Sequence, residues 1–381
     1  MLALSPDIVV VGTARSGRQA LAAFASAQPD VICTDYQMPE MDGLALVRQT
    51  MATFPRPILV VSSLLDPAKR DQIFPLLAAG AVDVLAKPDA NTPFEQSAAT
   101  LIQKIKLLSK VVVISRRLPS ALGVKGAQNE IFPAQTPENG AGASRPWPAP
   151  QNLEASRRAS PQVSPVIGAL PPGEARHESG VAGAILRPYQ AHPVRVVAIG
   201  ASTGGPQTLQ TLFSRLKRLS CPILCVQHIS SGFLQGLVDW LDGQSQARVK
   251  IAEPGEVAAP GTIYFPPENT HLEIDEQGRL IHSHQPPLGG HKPAVTVTFE
   301  SLARSYGRGA LGVLLTGMGS DGAAGLEAIM LAGGATMAQN EASCVVFGMP
   351  KQAISRGAAH FVLAPEQIAD KIEQLASPIS G

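Results

Sequence analysis

The chain has 381 residues, of which 31 are Lys or Arg and 30 are Asp or Glu, so its formal net charge is +1. This balance argues against broad electrostatic binding of nucleic acid or of anionic membrane surfaces. The length favours two or three domains. The longest apolar runs have the length of strands, and the first residues lack the pattern of a signal peptide. We therefore expect no membrane-spanning segment and a cytoplasmic protein.

Residues 1–110 alternate short apolar runs with amphipathic segments, which predicts a domain with a parallel α/β sheet. The expected strands are at 7–12, 30–34, 57–62 and 82–86, and the expected helices are at 16–27, 42–53, 67–79 and 93–109. The run KVVVIS at 110–115 is either a further strand or an extended exit from the domain.

Residues 111–193 differ in composition from the regions on either side. They are rich in Pro, Ser, Ala and Gly and contain few aromatic residues. Such a segment buries too little apolar area to offset the entropy that it would lose on ordering. We therefore predict a long, flexible linker between two domains.

Residues 194–381 return to alternating strands and helices, which predicts a second, doubly wound α/β domain. Strands are expected at 194–200, 222–227, 248–252, 262–265, 271–274, 279–283, 311–316, 335–338 and 360–363. Helices are expected at 205–218, 232–242, 295–306, 322–332, 350–356 and 365–376. The strand-rich middle, 248–283, is expected to add hairpins to a mostly parallel sheet.

The stretch VVAIGASTGGPQTL at 196–209 places Ser202 in a glycine-rich turn between a buried strand and a helix. Such a turn either binds a phosphate or presents a nucleophile. A phosphate loop carries a Lys after its glycines and a dinucleotide-binding turn follows G-x-G-x-x-G, and neither pattern is present here. Gly200, Ser202 and Gly204 match G-x-S-x-G, which favours a nucleophile but is a weak signal on its own.

A nucleophilic serine needs a base, and the base needs an orienting group. His228 ends the next apolar strand, and Asp321 follows a later one. In a doubly wound sheet both would reach the same crevice as Ser202. Each residue also has an ordinary explanation, His228 as a strand-end histidine and Asp321 as the N-cap of the helix that follows it.

The other histidines and the cysteines give no metal pattern. No two histidines are spaced as zinc ligands on one helix, and the four cysteines form no Cys-x-x-Cys pair. Cys33, Cys221, Cys225 and Cys344 are typical of buried thiols in a reducing compartment. A catalytic zinc is therefore not expected. His271, His282, His284, His291 and His360 have weaker claims to catalysis than His228, because none lies between a strand and a glycine turn.

Five motifs between 194 and 376 resemble the catalytic domain of the chemotaxis protein-glutamate methylesterase (CheB) family. They are IGASTGGP, QHISSGF, GTIYFPPENTHL, LLTGMGSDGAAG and AQNEASCVVFGMPKQAI. The resemblance implies that Ser202 is the nucleophile, His228 the general base and Asp321 the orienting carboxylate. It also implies the substrate, methyl esters of glutamate side chains on the cytoplasmic part of chemoreceptors, with deamidation of certain receptor glutamines.

The oxyanion of the reaction is expected to bind two backbone positions. Thr203 follows the serine at a helix N-terminus, where N–H groups face the site. The resemblance adds the backbone near Met318. In one place the chain departs from the family: Thr296 stands where members usually carry Asp, which leaves the role of that segment in substrate positioning open.

Residues 1–110 resemble the receiver domain of response regulators. Asp35, Ser62 and Lys87 stand at the ends of three successive predicted strands. The resemblance implies that Asp35 accepts a phosphoryl group, which the Ser62 hydroxyl and the Lys87 ammonium would contact. The fold it implies is flavodoxin-like.

The first strand and helix of such a receiver have no counterpart in this sequence. That strand would be central in the sheet and would end in the acid pair that holds Mg²⁺. Asp7 and Asp30 stand at strand beginnings, the wrong end. We expect a natural start further upstream, with a degenerate receiver as the alternative. Mg²⁺ is accordingly expected for phosphorylation only if the receiver is complete, and no cofactor is expected for the esterase.

Three functions compete on these grounds. The first is a phosphorylation-controlled esterase, whose partners would be methyl-accepting chemoreceptors and a histidine kinase of the chemotaxis type. The second is a catalytically inactive module that docks to receptors. A transcriptional regulator is disfavoured, because no basic helix-turn-helix follows the receiver. Neither nucleic-acid binding nor membrane insertion is expected.

Overall fold

The computed structural model of the chain describes residues 1–63, 73–88, 93–111, 113, 192–217 and 219–376. The linker predicted at 111–193 lies almost wholly outside these residues, as does the first part of the helix predicted at 67–79. Among the described helices, none is both long and apolar enough to cross a membrane.

The N-terminal region forms a parallel sheet with helices, as its alternating pattern predicts. Its strands are β1 (Ile32–Thr34), β2 (Ile58–Ser62) and β3 (Asp83–Ala86), in the order β1-β2-β3. Its described helices are α1 (Gly17–Ala27), α2 (Gly43–Thr53), α3 (Phe74–Ala79) and α4 (Phe94–Leu108). Ser16 and Asp42 cap α1 and α2 through side-chain oxygens that accept backbone N–H groups.

The strand predicted at 7–12 is wrong. These residues have no regular structure, and Val9, Val10 and Val11 are exposed. An apolar run becomes a strand only when a neighbouring strand satisfies its backbone groups. In the described sheet β1 and β3 are the edge strands, and neither pairs with residues 7–12.

The C-terminal region is built on a seven-stranded parallel sheet in the order β12-β11-β10-β4-β5-β7-β6, with a separate antiparallel hairpin, β8-β9. The strands are β4 (Val196–Ala201), β5 (Ile223–Gln227), β6 (Arg248–Ile251), β7 (Thr262–Phe265), β8 (His271–Ile274), β9 (Leu280–Ser283), β10 (Ala310–Leu314), β11 (Ala335–Gln339) and β12 (Phe361–Leu363). The strand-rich middle thus forms one hairpin, which is separate from the main sheet and does not add to it as predicted, while β6 and β7 join the parallel sheet.

Helices cover both faces of this sheet. They are α5 (Gly205–Phe213), α6 (Leu234–Asp242), α7 (Val295–Tyr306), α8 (Ala323–Leu331), α9 (Met349–Ser355) and α10 (Pro365–Ala376). Alternate residues of β4 enter two different cores, Val197 and Ile199 on one face and Val196 and Ala198 on the other. Burial on both faces explains why β4 is apolar throughout.

One C-terminal helix is shorter than expected. The apolar pattern predicts a helix over 205–218, but α5 ends at Phe213. Beyond it the chain turns, and Leu216 is buried outside the helix. The apolar spacing therefore continues past the point where the backbone stops being helical.

The central position of β4 determines where the candidate site lies. Within the sheet, β4 has β5 as its neighbour on one edge and β10 as its neighbour on the other edge. At such a reversal of strand order the carboxyl ends leave a crevice between the loops. The segments that follow β4, β5 and β10 carry Ser202, His228 and Asp321.

Candidate active site

The turn after β4 presents Ser202 at the sheet edge. The Ser202 N–H donates to the carbonyl of Thr316 (3.0 Å), and the Ser202 carbonyl accepts from the Gly205 N–H (2.7 Å). Gly204 adopts φ +78°, and a Cβ there would come within 2.5 Å of Val345. The turn therefore needs glycine at this position for both its conformation and its packing.

His228 lies beside Ser202 because of strand register. Ala201 is paired with Gln227 across β4 and β5, and the His228 N–H donates to the Ala201 carbonyl (3.0 Å). Ser202 and His228 each follow one of these paired residues. Neighbouring strands lie about 4.8 Å apart, so the two side chains leave the sheet from adjacent positions.

Asp321 contacts the imidazole of His228. The distance between His228 Nε2 and Asp321 Oδ2 is 2.9 Å, and the two side chains are 11% and 6% exposed. His228 Nδ1 is buried and has no hydrogen-bond partner in the part of the chain that the structure describes. When Nε2–H donates to the carboxylate, Nδ1 carries a lone pair that can accept a proton.

The Asp321 carboxylate is held from a second direction by the start of α7. Oδ2 accepts the Val295 N–H (2.8 Å), and Oδ1 accepts the N–H (3.0 Å) and the hydroxyl (2.7 Å) of Thr296. Burial raises the pKa of Asp321, but the hydrogen bonds and charge of His228, together with the Thr296 donors, outweigh it and hold that pKa well below its ordinary value. Asp321 is therefore an anion at neutral pH.

The ordinary explanation for Asp321, a cap for the helix that follows it, does not describe its contacts. The cap position of α8 is Gly322, and no side chain bonds the first turn of that helix. Asp321 instead accepts the first N–H groups of α7, which comes from a distant part of the chain. Its negative charge thus lies at the positive end of α7, which favours the ionised form.

Thr296, where the chain departs from the family pattern, supports the carboxylate directly. Its hydroxyl donates to Asp321 Oδ1 and also accepts the Gly322 N–H (2.8 Å). It thereby joins the start of α7 to the turn that carries Asp321. Sequence reasoning left this position open, because the partner lies 25 residues away.

His291 is a further residue of the site that sequence reasoning ranked too low. Its ring stacks on the His228 ring with a centroid distance of 4.1 Å and an interplanar angle of 2°. Burial lowers the pKa of His291, the neighbouring His228 lowers it further, and Asp321 acts in the opposite direction. A neutral imidazole therefore covers one face of His228.

The two predicted oxyanion positions flank the serine. Thr203 is buried, and its carbonyl accepts the Thr316 hydroxyl (3.0 Å). Gly317 lies so close that a Cβ there would be 2.7 Å from Ser202 Cβ, and Met318 is the next residue. Met318 is 40% exposed. Both backbone segments therefore lie next to Ser202.

The N-terminal region contacts this serine turn. Asp83 Oδ2 accepts the Thr203 hydroxyl (3.1 Å) and also the Lys104 ammonium (2.6 Å). The Gln207 side chain donates to the Ala81 carbonyl. Phe74 stacks on Trp240 with a centroid distance of 5.6 Å. These contacts bring β3 and α3 against α5 and α6.

The three candidate phosphorylation residues also meet at one sheet edge. Asp35 directly follows β1, Ser62 is the last residue of β2, and Lys87 directly follows β3. The Lys87 ammonium lies 2.5 Å from Asp35 Oδ2, and the Lys87 N–H donates to the Ser62 carbonyl (2.9 Å). Parallel pairing of the three strands is the cause of this convergence.

The described residues contain no cluster of three or more His, Cys, Asp or Glu side chains suited to a metal ion. Asp35 is the carboxylate at the edge just described. Asp7 instead pairs with Lys106 (2.5 Å). Mg²⁺ needs octahedral oxygen ligands and usually takes one or two carboxylates from the protein. These residues do not form a complete Mg²⁺ site.

Comparison with known families agrees with this division into two regions. The model of the response regulator receiver domain matches residues 1–98. The model of the CheB methylesterase matches residues 197–372, which include Ser202, His228 and Asp321. The fold and site together define a receiver domain joined to an α/β hydrolase-like domain.

Relatives that match nearly the whole chain show to which family it belongs. A protein-glutamate methylesterase/protein-glutamine glutaminase of Geobacter metallireducens is 35% identical over 380 residues, covering 99% of this chain and 94% of that protein. One from Syntrophus aciditrophicus is 36% identical, covering 98% and 93%. The chain therefore belongs to the CheB family of protein-glutamate methylesterases. The crystal structure of the Thermotoga maritima CheB methylesterase catalytic domain shares 37% identity with it, at a TM-score of 0.47, over 48% of this chain and 100% of that one.

Proposed function

We propose that the chain hydrolyses methyl esters of glutamate side chains on chemoreceptors, with Ser202 as nucleophile, His228 as general base and Asp321 as orienting carboxylate. This proposal rests on one observation. Strand register sets Ser202 beside His228, whose Nε2 contacts Asp321 (2.9 Å) and whose buried Nδ1 has no partner among the described residues. A serine, a base with an available nitrogen and a fixed anion behind it are the parts that acyl transfer requires.

In the proposed reaction Ser202 Oγ attacks the ester carbonyl carbon while His228 Nδ1 takes the hydroxyl proton. As the carbonyl oxygen gains negative charge, it accepts hydrogen bonds from the N–H of Thr203 and from the backbone near Met318. His228 then protonates the leaving methoxide, and methanol departs. His228 then takes a proton from water, whose oxygen attacks the acyl-enzyme, and returns the proton to Ser202 Oγ as the acyl–oxygen bond breaks and the glutamate carboxylate leaves.

The same arrangement supports hydrolysis of a glutamine side chain. Attack on the amide forms the same acyl-enzyme, and His228 protonates the leaving nitrogen, so that ammonia departs instead of methanol. Relatives carry both activities in their names. We propose esters as the better substrates, because methoxide is a better leaving group than amide nitrogen.

The proposal includes partners and a setting. Receiver and methylesterase domains in one chain support a place in chemotaxis signalling. We propose methyl-accepting chemoreceptors as substrates and a histidine kinase of the chemotaxis type as phosphodonor, in the cytoplasm. The esterase reaction as derived uses protein groups and water only.

Methanol release tests the function. The full chain is incubated with the cytoplasmic fragment of a chemoreceptor that has been methylated beforehand, and free methanol and the loss of methyl groups from glutamate are measured. Time-dependent release of methanol, with recovery of free glutamate, is expected. Binding to the fragment without any release would favour the competing proposal, an inactive docking module.

Contact between the receiver and the serine turn supports control of the esterase. Asp83 bonds Thr203, the residue next to the nucleophile, and Gln207 of α5 bonds the backbone of Ala81. A domain that lies against the serine turn competes with a protein substrate for the same surface. We propose that phosphorylation at Asp35, in a receiver with a complete Mg²⁺ site, weakens this contact and raises esterase activity.

Asp83→Ala is expected to raise basal methanol release about 3- to 10-fold, because it removes the acceptor of the Thr203 hydroxyl. A buried hydrogen bond to a charged group contributes about 1.5–3 kcal/mol, and partial exposure lowers this figure. Lys104→Met is the matched control, since it breaks the ion pair with Asp83 but leaves the Thr203 bond. Equal rates in all three proteins would contradict the proposed control.

The 381-residue chain is expected to take up phosphate poorly from acetyl phosphate in the presence of Mg²⁺. Phosphoryl transfer to a carboxylate needs a cation that neutralises the approaching charges, and the described residues offer Asp35 without an acid pair. The measurement is the stoichiometry of acid-stable, base-labile phosphate by mass spectrometry, with Asp35→Asn as control. Robust Mg²⁺-dependent labelling that Asp35→Asn abolishes would overturn this expectation.

A further inference from the structure

A buried amide links the backbones of the two central residues of the site. Gln227 is the last residue of β5 and is 4% exposed. Its Nε2 donates to the Ser202 carbonyl (2.9 Å) and to the His228 carbonyl (2.8 Å). The amide has two protons, and both are used on the residues proposed as nucleophile and base.

The orientation of this amide follows from its two acceptors. Rotating it by half a turn would place Oε1 against two carbonyl oxygens, which repel it, so Nε2 must face them. Oε1 is buried and has no partner among the described residues. A Cβ on Gly205 would come within 1.9 Å of Oε1, so glycine at 205 leaves the space that the amide occupies.

The bond to the Ser202 carbonyl also determines the direction of the next N–H. The peptide unit between Ser202 and Thr203 is planar, and its C=O and N–H point in opposite directions when it is trans. Holding the carbonyl toward Gln227 therefore aims the Thr203 N–H away from Gln227. That N–H is the proposed oxyanion donor. The second bond fixes the peptide unit that follows His228 in the same way.

We propose that Gln227 is a positioning residue, which holds the Ser202–Thr203 peptide so that the Thr203 N–H meets the developing oxyanion and which keeps this turn in register with His228. This inference rests on the proposed esterase function and deepens it. An oxyanion donor acts mainly in the transition state, so its displacement lowers kcat while substrate binding is kept.

The test compares Gln227→Leu and Gln227→Glu with the parent chain. Leu is similar in size but donates nothing, and Glu is nearly the same shape but presents oxygens to the two carbonyls. Loss of one aligned oxyanion donor lowers kcat by about 10²- to 10³-fold in other hydrolases, and we expect a fall of about 10²-fold with KM within about 3-fold. The acid limb of the pH–rate profile should stay in place, because His228 and Asp321 keep their contact.

Ser301→Ala is the matched control. The Ser301 hydroxyl is buried in α7, donates to the Thr298 carbonyl and accepts the Ile274 N–H, and none of these groups contacts the residues proposed for catalysis. The variant Ser301→Ala loses buried hydrogen bonds to the backbone, as Gln227→Leu does. Thermal unfolding is measured for every variant, so that a general loss of stability is separated from a specific loss of kcat.

Gly205→Ala gives a second, independent perturbation of the same amide. Its methyl group should displace Gln227 and lower kcat, whereas in a Gln227→Ala background the effect should be smaller and limited to the contact with the Ala201 Cβ at 3.0 Å. The rate at which a fluorophosphonate labels Ser202 is measured in parallel, since this reaction also builds negative charge beside Thr203. It needs no receptor substrate.

The outcomes separate the two proposals. If the parent chain neither releases methanol nor reacts with the fluorophosphonate, the esterase function fails. If the parent is active and folded Gln227→Leu keeps kcat within about 3-fold, the role of Gln227 is overturned.

Discussion

Ser202→Ala is expected to lower methanol release by about 10⁴-fold or more while the protein stays folded. The substitution removes the atom that forms the acyl-enzyme, and in serine hydrolases loss of the nucleophile removes almost all of the rate enhancement. The Ser202 hydroxyl is not needed for the turn, because the Ser202 backbone N–H and carbonyl make its hydrogen bonds to Thr316 and Gly205. Methanol release under single-turnover and steady-state conditions is the measurement.

Ser214→Ala is the control for this substitution. Ser214 directly follows α5, and its hydroxyl bonds the Thr211 carbonyl on an exposed surface. This variant is expected to be as active as the parent. Fluorophosphonate labelling should follow the same pattern and be lost in Ser202→Ala alone. Methanol release from Ser202→Ala within about 10-fold of the parent would show that another residue is the nucleophile.

Asp321→Asn is expected to lower kcat by about 10⁴-fold, the loss seen when the equivalent aspartate of another serine hydrolase is replaced by asparagine. The neutral amide no longer stabilises a protonated His228, and its NH₂ group faces donors at Nε2 or at the N-terminus of α7. Thr296→Val leaves the charge of Asp321 in place and removes one hydrogen-bond donor to its carboxylate. A much smaller fall in kcat, of about 10-fold, is therefore expected.

The depressed pKa of Asp321 determines how these losses depend on pH. Because its folded-state pKa lies well below that of an unfolded Asp, the ionised group contributes stability at every pH above the ordinary Asp range, and this contribution is lost only as the pH falls through the folded-state pKa. The difference in unfolding temperature between the parent and Asp321→Asn should therefore shrink as the pH falls below the ordinary Asp range.

Asp321 should not contribute to the acid limb of the pH–rate profile for the same reason. A limb below about pH 4 would indicate titration of a carboxylate. Thermal unfolding and kcat/KM measured over the same pH range check both statements. A stability difference that persists undiminished in strong acid would contradict the contacts described for Asp321.

The relation between sequence and site is clearest for Ser202, His228 and Asp321. Each follows an apolar run that ends in a turn, and parallel strands bring such ends to one edge. Alternation of strands and helices was therefore enough to place the three residues together, and the same rule placed Asp35, Ser62 and Lys87. Most elements begin and end within two residues of the expected positions, because buried strands and capped helices have strong local patterns.

Other features depend on contacts between distant segments, and local patterns do not contain them. The apolar residues 9–11 have the composition of a strand but remain exposed, because pairing requires a neighbour. His291 and Thr296 reach the site only because α7 packs beside the turn after β10, and Asp83 meets Thr203 across two domains. In the sequence Gln227 is an ordinary strand residue, and only the structure shows that its amide donates to two carbonyls. Local periodicity sets which residues stand at strand ends, whereas the direction of a side chain and the identity of its partner are set by tertiary packing.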